Sequence, residues 1–151
     1  MSNKPFDPLA LDNQFCFALY STSLAMTKMY KPLLAKIGLT YPQYLVMLVL
    51  WQEDGLSVNQ IGEKLFLDSG TLTPLLKRIE AAGFIKRQRS MEDERQVTIS
   101  LTTIGQELKS KAQEIPLQIM CASGLQPEAL LNLRSQLNDV RGALHAHLAA
   151  N

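Results

Sequence analysis

Two thiols and one basic segment are where this 151-residue chain can do chemistry. Cys16 and Cys121 are too few for a disulfide framework and too far apart for the spacing of a zinc site. A reducing cytoplasm is therefore the expected setting. Cys16 stands between Phe15 and Phe17 in a segment whose apolar residues recur at helical spacing. Taken without context, such a cysteine reads as a small buried hydrophobe. Its position argues the other way, because a helix starting near Asp12 puts Cys16 about one turn in, where orphan N–H groups and the helix dipole favour a thiolate. Tyrosine hydroxyls can donate hydrogen bonds to a thiolate, and the candidates are Tyr20, Tyr30, Tyr41 and Tyr44. Tyr20 is one turn away on the same helix. Tyr30 is about 21 Å further along a continuous helix and so reaches Cys16 only from another subunit. Cys121, in Met120-Cys121-Ala122-Ser123-Gly124 near a break before the last helix, is open to two readings: an incidental half-buried thiol, or a resolving cysteine.

A net charge of +1 gives no reason by itself to expect nucleic acid or a membrane surface as partner. The distribution of charge does. From Ser69 to Arg89, Lys77, Arg78, Lys86, Arg87 and Arg89 oppose Glu80 alone, a local charge of +4. Ser69, Thr71 and Thr73 offer short hydrogen-bonding side chains at the start of a helix, as base-edge readers require, while Lys77 and Arg78 suit phosphates. Arg95, beyond Arg87 and Arg89 at the tip of a hairpin, can enter a minor groove, with Asp93 placed to hold its guanidinium. The competing reading is a surface carrying solvated charges, and its coincidence with the elements below weighs against it.

Those elements follow from periodicity. Phe15, Leu19, Met26, Tyr30 and Leu33 mark a helix from about Asp12 to Leu34, with Asp12 or Asn13 as N-cap, Pro32 kinking its last turn and Gly38 as its stop. Thr40 with Gln43 is a capping box opening Tyr41–Gln52, which is apolar nearly all round and so expected to be fully buried. Ser57 with Gln60 opens another helix, with Ile61, Leu65 and Phe66 on one face. A turn at Leu67–Gly70 leads to a third, ending near Ala82-Gly83, with Leu72, Leu75, Leu76 and Ile79 inward: a helix-turn-helix. Phe84–Arg89 and Gln96–Leu101 then alternate about the loop Ser90–Arg95, a hairpin wing. Thr102 or Thr103 caps a helix interrupted at Pro116, and Pro127 starts a last helix striped by Leu130, Leu133, Leu137, Val140, Leu144 and Leu148.

This apolar surface exceeds what one small domain covers, which predicts a homodimer. The expected fold is mainly α with a small β-hairpin wing. Residues 1–151 form a single domain, in which a winged helix-turn-helix (57–101) lies between dimerisation helices (12–37 and 103–148). Met1 to Asp7 is expected to be a flexible arm. No membrane span is expected, since the longest apolar run is Tyr44–Trp51. His145 and His147, at i and i+2, make a poor metal pair, and there is no phosphate loop, nucleophile elbow or paired catalytic carboxylate. Neither metal, cofactor nor enzymatic activity is expected.

Asp93-x-Arg95 followed by Leu101-Thr102-x-x-Gly105 resembles the wing signature of the MarR family of dimeric winged-helix repressors. Cys16-Phe-Ala-Leu-Tyr20, Tyr30-Lys-Pro-Leu-Leu34 and Gly38-Leu-Thr-Tyr-Pro-Gln-Tyr-Leu-Val-Met47 resemble its organic-hydroperoxide-sensing OhrR subgroup. The resemblance runs from about Asp12 to the last helix. It implies a homodimer that represses a peroxide-detoxification gene, on a pseudo-palindromic double-stranded DNA operator, until an organic hydroperoxide oxidises it. It also implies the roles: Cys16 as peroxidatic cysteine, Tyr30 and Tyr41 as its hydrogen-bonding tyrosines across the dimer, and Cys121 as the resolving cysteine of the two-cysteine type. The expected route is entry of the hydroperoxide into an apolar pocket near Phe15 and Phe17, a sulfenic acid at Cys16, then a disulfide with Cys121 of the other subunit and release of DNA. Two rivals are a winged-helix repressor released by a non-covalent aromatic ligand, with Cys16 inert, and a thiol peroxidase, which leaves the basic helix and wing unexplained.

Overall fold

In the computed structural model, which describes residues 4–151, the chain forms two compact units, one up to Ile115 and one of Pro116–Asn151. Met1–Asn3, part of the expected arm, lie outside the described residues. In the first unit, helix α1 (Phe15–Ala35) starts three residues later than Asp12. Leu11–Asn13 form a 3-10 turn instead, and neither Asp12 nor Asn13 is the cap, which is Gln14 with no side-chain cap bond. The lead-in is tied down by other bonds: Asn13 Nδ2 donates to the Asp7 carbonyl at 2.7 Å and Gln14 Nε2 to that of Ala10 at 3.1 Å. Pro32 lies inside α1 without ending it, and Gly38, at φ +77°, takes the left-handed turn that follows.

Helix α2 (Tyr41–Gln52) has both halves of its capping box, the Gln43 N–H on Thr40 Oγ1 and the Thr40 N–H on Gln43 Oε1. It buries Tyr44, Val46, Met47 and Leu50, but not its whole circumference, since Leu48 is 40% exposed. Strand β1 (Leu56–Ser57) comes next, and Ser57 caps α3 (Val58–Leu65) through the second box with Gln60. Phe66 does not share the inward face of Ile61: it closes α3 in the left-handed conformation, φ +57°, and is exposed. Asp68, whose Oδ1 accepts the Thr71 N–H at 2.7 Å, then caps α4 (Ser69–Ala81), which buries Leu72, Leu76 and Ile79. Gly62 lets this turn close, because a Cβ there would lie 2.6 Å from the Leu67 carbonyl oxygen.

Strands β2 (Ile85–Arg89) and β3 (Val97–Leu101) form the wing, with Ile85 opposite Leu101 and Arg89 opposite Val97. The sheet has a third strand beyond the expected hairpin. β1 pairs with β3, Leu56 opposite Ile99, giving the antiparallel order β1-β3-β2. Thr102, not Thr103, caps α5 (Thr103–Ala112).

The interruption after α5 falls at Gln113, and Pro116 sits in the first turn of α6 (Glu114–Ala122), where its missing N–H removes no helical bond. In the second unit α7 (Pro127–Ala149) starts with Pro127 in the first turn and buries none of its residues. Leu133, Leu137, Val140, Leu144 and Leu148 are all exposed along it, as are Phe15, Leu19, Leu24 and Met29 along α1.

Candidate DNA interface and thiol site

Cys16 is the second residue of α1 and is exposed, so it lies in the first turn itself, where backbone N–H groups have no acceptor within the helix. Cys121 is also exposed; it belongs to the last turn of α6 rather than to the break that follows. Phe15 and Phe17 are 68% and 41% exposed, so one protomer does not enclose an apolar pocket around them.

The tyrosines gather elsewhere. The Tyr30 ring centroid is 4.7 Å from that of Tyr41 and 5.8 Å from that of Tyr44, and Tyr44 meets Trp51 edge-on at 6.5 Å. Burial, and then the neighbouring Tyr41 and Tyr44, push the Tyr30 phenol up to about 12. Burial raises Tyr41 and Tyr44 as well. All three hydroxyls therefore keep their protons at neutral pH and remain hydrogen-bond donors. Because α1 is unbroken from Phe15 to Ala35, Cys16 and Tyr30 of one chain stay about 21 Å apart. Tyr20, on the same helix, is exposed and not part of the cluster.

The residues expected to meet DNA divide into those that line one cleft and those that are exposed outside its lining. A cleft of about 260 Å³ is lined by Ser57, Val58 and Asn59 at the start of α3, Ser69 and Thr73 on α4, and Arg95, Gln96 and Val97 on the wing. It brings together Ser69, Thr73 and Arg95 from the sequence reading and adds Ser57, Asn59 and Gln96. The capping box at Ser57 signals the start of α3, but its approach to the wing depends on the pairing of β1 with β3, for which the sequence carries no signal. Thr71 is exposed nearby, its N–H held by Asp68, whose carboxyl lies below the usual range because of that bond. Lys77, Arg78, Lys86 and Arg89 are exposed.

Two expected roles differ in detail. Asp93 accepts the backbone N–H of Arg95 through Oδ1 at 3.0 Å, so it shapes the turn rather than holding the guanidinium. Arg87 is engaged within the protein: Glu80 accepts its backbone N–H at 2.9 Å and its Nε–H at 3.1 Å, with Nη2 also 3.1 Å away. These bonds hold the Glu80 carboxyl below its usual range.

At the base of the wing, Thr102 and Gly105 explain their place in the sequence signature. Thr102 Oγ1 donates to the Gly83 carbonyl at 2.6 Å and accepts the Gly105 N–H at 3.0 Å, while the Thr102 N–H bonds the Phe84 carbonyl at 3.0 Å. A Cβ on Gly105 would stand 2.1 Å from that Phe84 oxygen. Trp51 Nε1 donates to the Gly105 carbonyl at 2.9 Å. Among the described residues, no group of three or more His, Cys, Asp or Glu could hold a metal ion, and no helix is long and apolar enough to cross a membrane.

Residues 28–112 match the family described as transcriptional regulator SarA/Rot. The chain is similar to the organic hydroperoxide resistance transcriptional regulator of Bacillus subtilis (strain 168), 54% identical over 96% of this chain and 98% of that one. Among solved structures it is similar to reduced AbfR bound to DNA, a protein of Staphylococcus epidermidis, at 39% identity and TM-score 0.72 over 89% of this chain and 94% of that one. Disulfide-formed AbfR matches at 40% identity and TM-score 0.61 over 86% and 91%. With its helix-turn-helix, its wing and these relatives, the chain belongs to the MarR family of winged-helix transcriptional regulators, in the group of the organic hydroperoxide resistance regulators.

Proposed function

We propose that this chain is a homodimeric, redox-sensing repressor that binds double-stranded DNA when Cys16 is reduced and leaves it when an organic hydroperoxide has oxidised that thiol. The observation that carries the proposal is the separation of an exposed Cys16, in the first turn of α1, from the phenols of Tyr30 and Tyr41 near the other end. Residues 12–37 and 103–148 supply the dimerisation helices around the winged helix-turn-helix of 57–101, and the uncovered apolar residues of α1 and α7 support this. A second subunit then brings Tyr30 and Tyr41 to Cys16 and closes an apolar pocket over Phe15 and Phe17.

The thiolate attacks the distal peroxide oxygen. The O–O bond breaks, the alcohol leaves with a proton, and Cys16 becomes a sulfenic acid. The Cys121 thiol of the other subunit attacks that sulfur, water leaves, and a disulfide remains. The hydroperoxide takes two electrons from the two thiols, one disulfide forming per hydroperoxide consumed, and the basic helix and wing, which a peroxidase would leave unexplained, favour a regulator in a reducing cytoplasm. On the DNA side Ser69, Thr71 and Thr73 face bases, Lys77, Arg78 and Arg89 meet phosphates, and Arg95 reaches the minor groove of a pseudo-palindromic operator. The name of the Bacillus subtilis relative and the reduced, DNA-bound and disulfide forms of AbfR support this reading.

The deciding measurement is operator binding before and after cumene hydroperoxide, for wild type and Cys16→Ser. Release of wild type alone is the expected result; release of neither, or of both, overturns the proposal.

A further inference from the structure

We infer that Trp51 is a positioning residue that couples the tyrosine cluster to the base of the wing. The inference rests on the proposed function, in which Tyr30 and Tyr41 hold the Cys16 thiol. Every link lies within the first unit. Tyr30 packs on Tyr41 and Tyr44, and Tyr44, only 3% exposed, meets the Trp51 ring edge-on. The indole N–H donates to the carbonyl of Gly105, in the first turn of α5.

Gly105 cannot move independently of the wing. Its Cα lies so close to the Phe84 carbonyl that a Cβ has no room, and Thr102 fastens it further, bonding the Gly105 N–H and the carbonyls of Gly83 and Phe84. Gly83 and Phe84 are the junction between α4 and β2, the two elements proposed to grip DNA. A shift of Tyr30 or Tyr41 when the thiol leaves them is therefore passed through rings in contact to one hydrogen bond, and from it to the hinge of the wing. Close-packed interiors move between discrete arrangements instead of absorbing such a shift gradually.

A tryptophan that only seals the core would act through its area; coupling acts through its N–H. Trp51→Phe separates the two, because it keeps a ring against Tyr44 and removes the donor. The readout is the ratio of operator affinities in the reduced and oxidised states, which a merely structural tryptophan would not move.

The experiment measures this ratio for wild type, Trp51→Phe and Cys16→Ser, with non-reducing electrophoresis to verify oxidation. Reduced Trp51→Phe is expected to bind like wild type and to form the same linked dimer with peroxide, yet to show a ratio roughly 2- to 30-fold smaller. An unchanged ratio in Trp51→Phe overturns the inference and leaves the proposed function standing. A wild type indifferent to peroxide overturns both. Trp51 is also the sole tryptophan, so its fluorescence reads the same link in a chain with its core intact. Its emission is expected to shift on oxidation of wild type but not of Cys16→Ser. An emission unchanged in wild type that has released its operator counts against the inference even if Trp51→Phe does not fold.

Discussion

Glu80, near the end of α4, accepts both the backbone N–H and the guanidinium of Arg87 on β2, joining the proposed recognition helix directly to the wing. The Arg87 side chain is 28% exposed, and its charge is answered within the protein. The other cations of this segment, Lys77, Arg78, Lys86 and Arg89, are all exposed, and the proposed phosphate contacts are drawn from them.

A salt titration distinguishes the two kinds of cation. Removing one cation that neutralises a phosphate flattens the slope of log K against log salt by about 0.9. The homodimer loses two such cations with each substitution, so Lys77→Ala and Arg78→Ala are each expected to flatten it by about 1.8. Arg87→Ala is expected to leave the slope as in wild type and to lower the thermal midpoint. A flattened slope for Arg87→Ala would place its guanidinium on a phosphate.

The resolving role of Cys121 is read by non-reducing electrophoresis after cumene hydroperoxide. Wild type is expected to run as a linked dimer, and Cys16→Ser and Cys121→Ser as single chains. Disulfide formation needs Cα atoms roughly 4.4 to 6.8 Å apart, so a monomeric band in oxidised wild type refutes the intersubunit bond.

Glycine substitutions probe the base of the wing and the dimer separately. Gly105→Ala drives a Cβ to 2.1 Å from backbone oxygen, and is expected to destabilise by about 3 kcal/mol or more. Gly142, inside α7, has nothing within 4 Å of its added Cβ and no positive φ. Gly142→Ala should therefore stabilise a free helix by up to about 1 kcal/mol. Urea unfolding at several protein concentrations measures both. Destabilisation by Gly142→Ala that eases as concentration rises would place Gly142 in the subunit interface.

The parts of the fold that are legible in the sequence are those fixed by neighbours. Thr40 with Gln43 and Ser57 with Gln60 are three residues apart, so the caps can be read directly, and the alternation about Ile99 locates the wing to within a residue at each end. The distance between Cys16 and Tyr30 needs only the helical rise. What escapes depends on partners remote in the chain. β1 is two residues long, too short for any period, and exists through its pairing with β3. Arg87 reads as a cation for DNA until the fold sets it beside Glu80, and Trp51 reads as plain core until Gly105, 54 residues on, meets its N–H. Phe66 misleads for a local reason: its spacing is that of the inward face, but it is the residue at which α3 turns left-handed.

The tyrosine cluster makes a prediction for alkaline pH. Burial raises Tyr30, Tyr41 and Tyr44, and the folded-state value for Tyr30 is about 12 against an ordinary value of 10.0. A phenol raised on folding contributes stability that is fully present below its unfolded value and is lost as pH rises through the folded one. The thermal midpoint is thus expected to hold up to about pH 10 and to fall between about pH 10 and 12, together with the appearance of phenolate absorbance. Tyr30→Phe keeps the ring and removes the ionisation, so its fall in that window should be shallower than that of wild type. Two equal falls would assign the alkaline loss to groups other than Tyr30, with Tyr41 and Tyr44 among them.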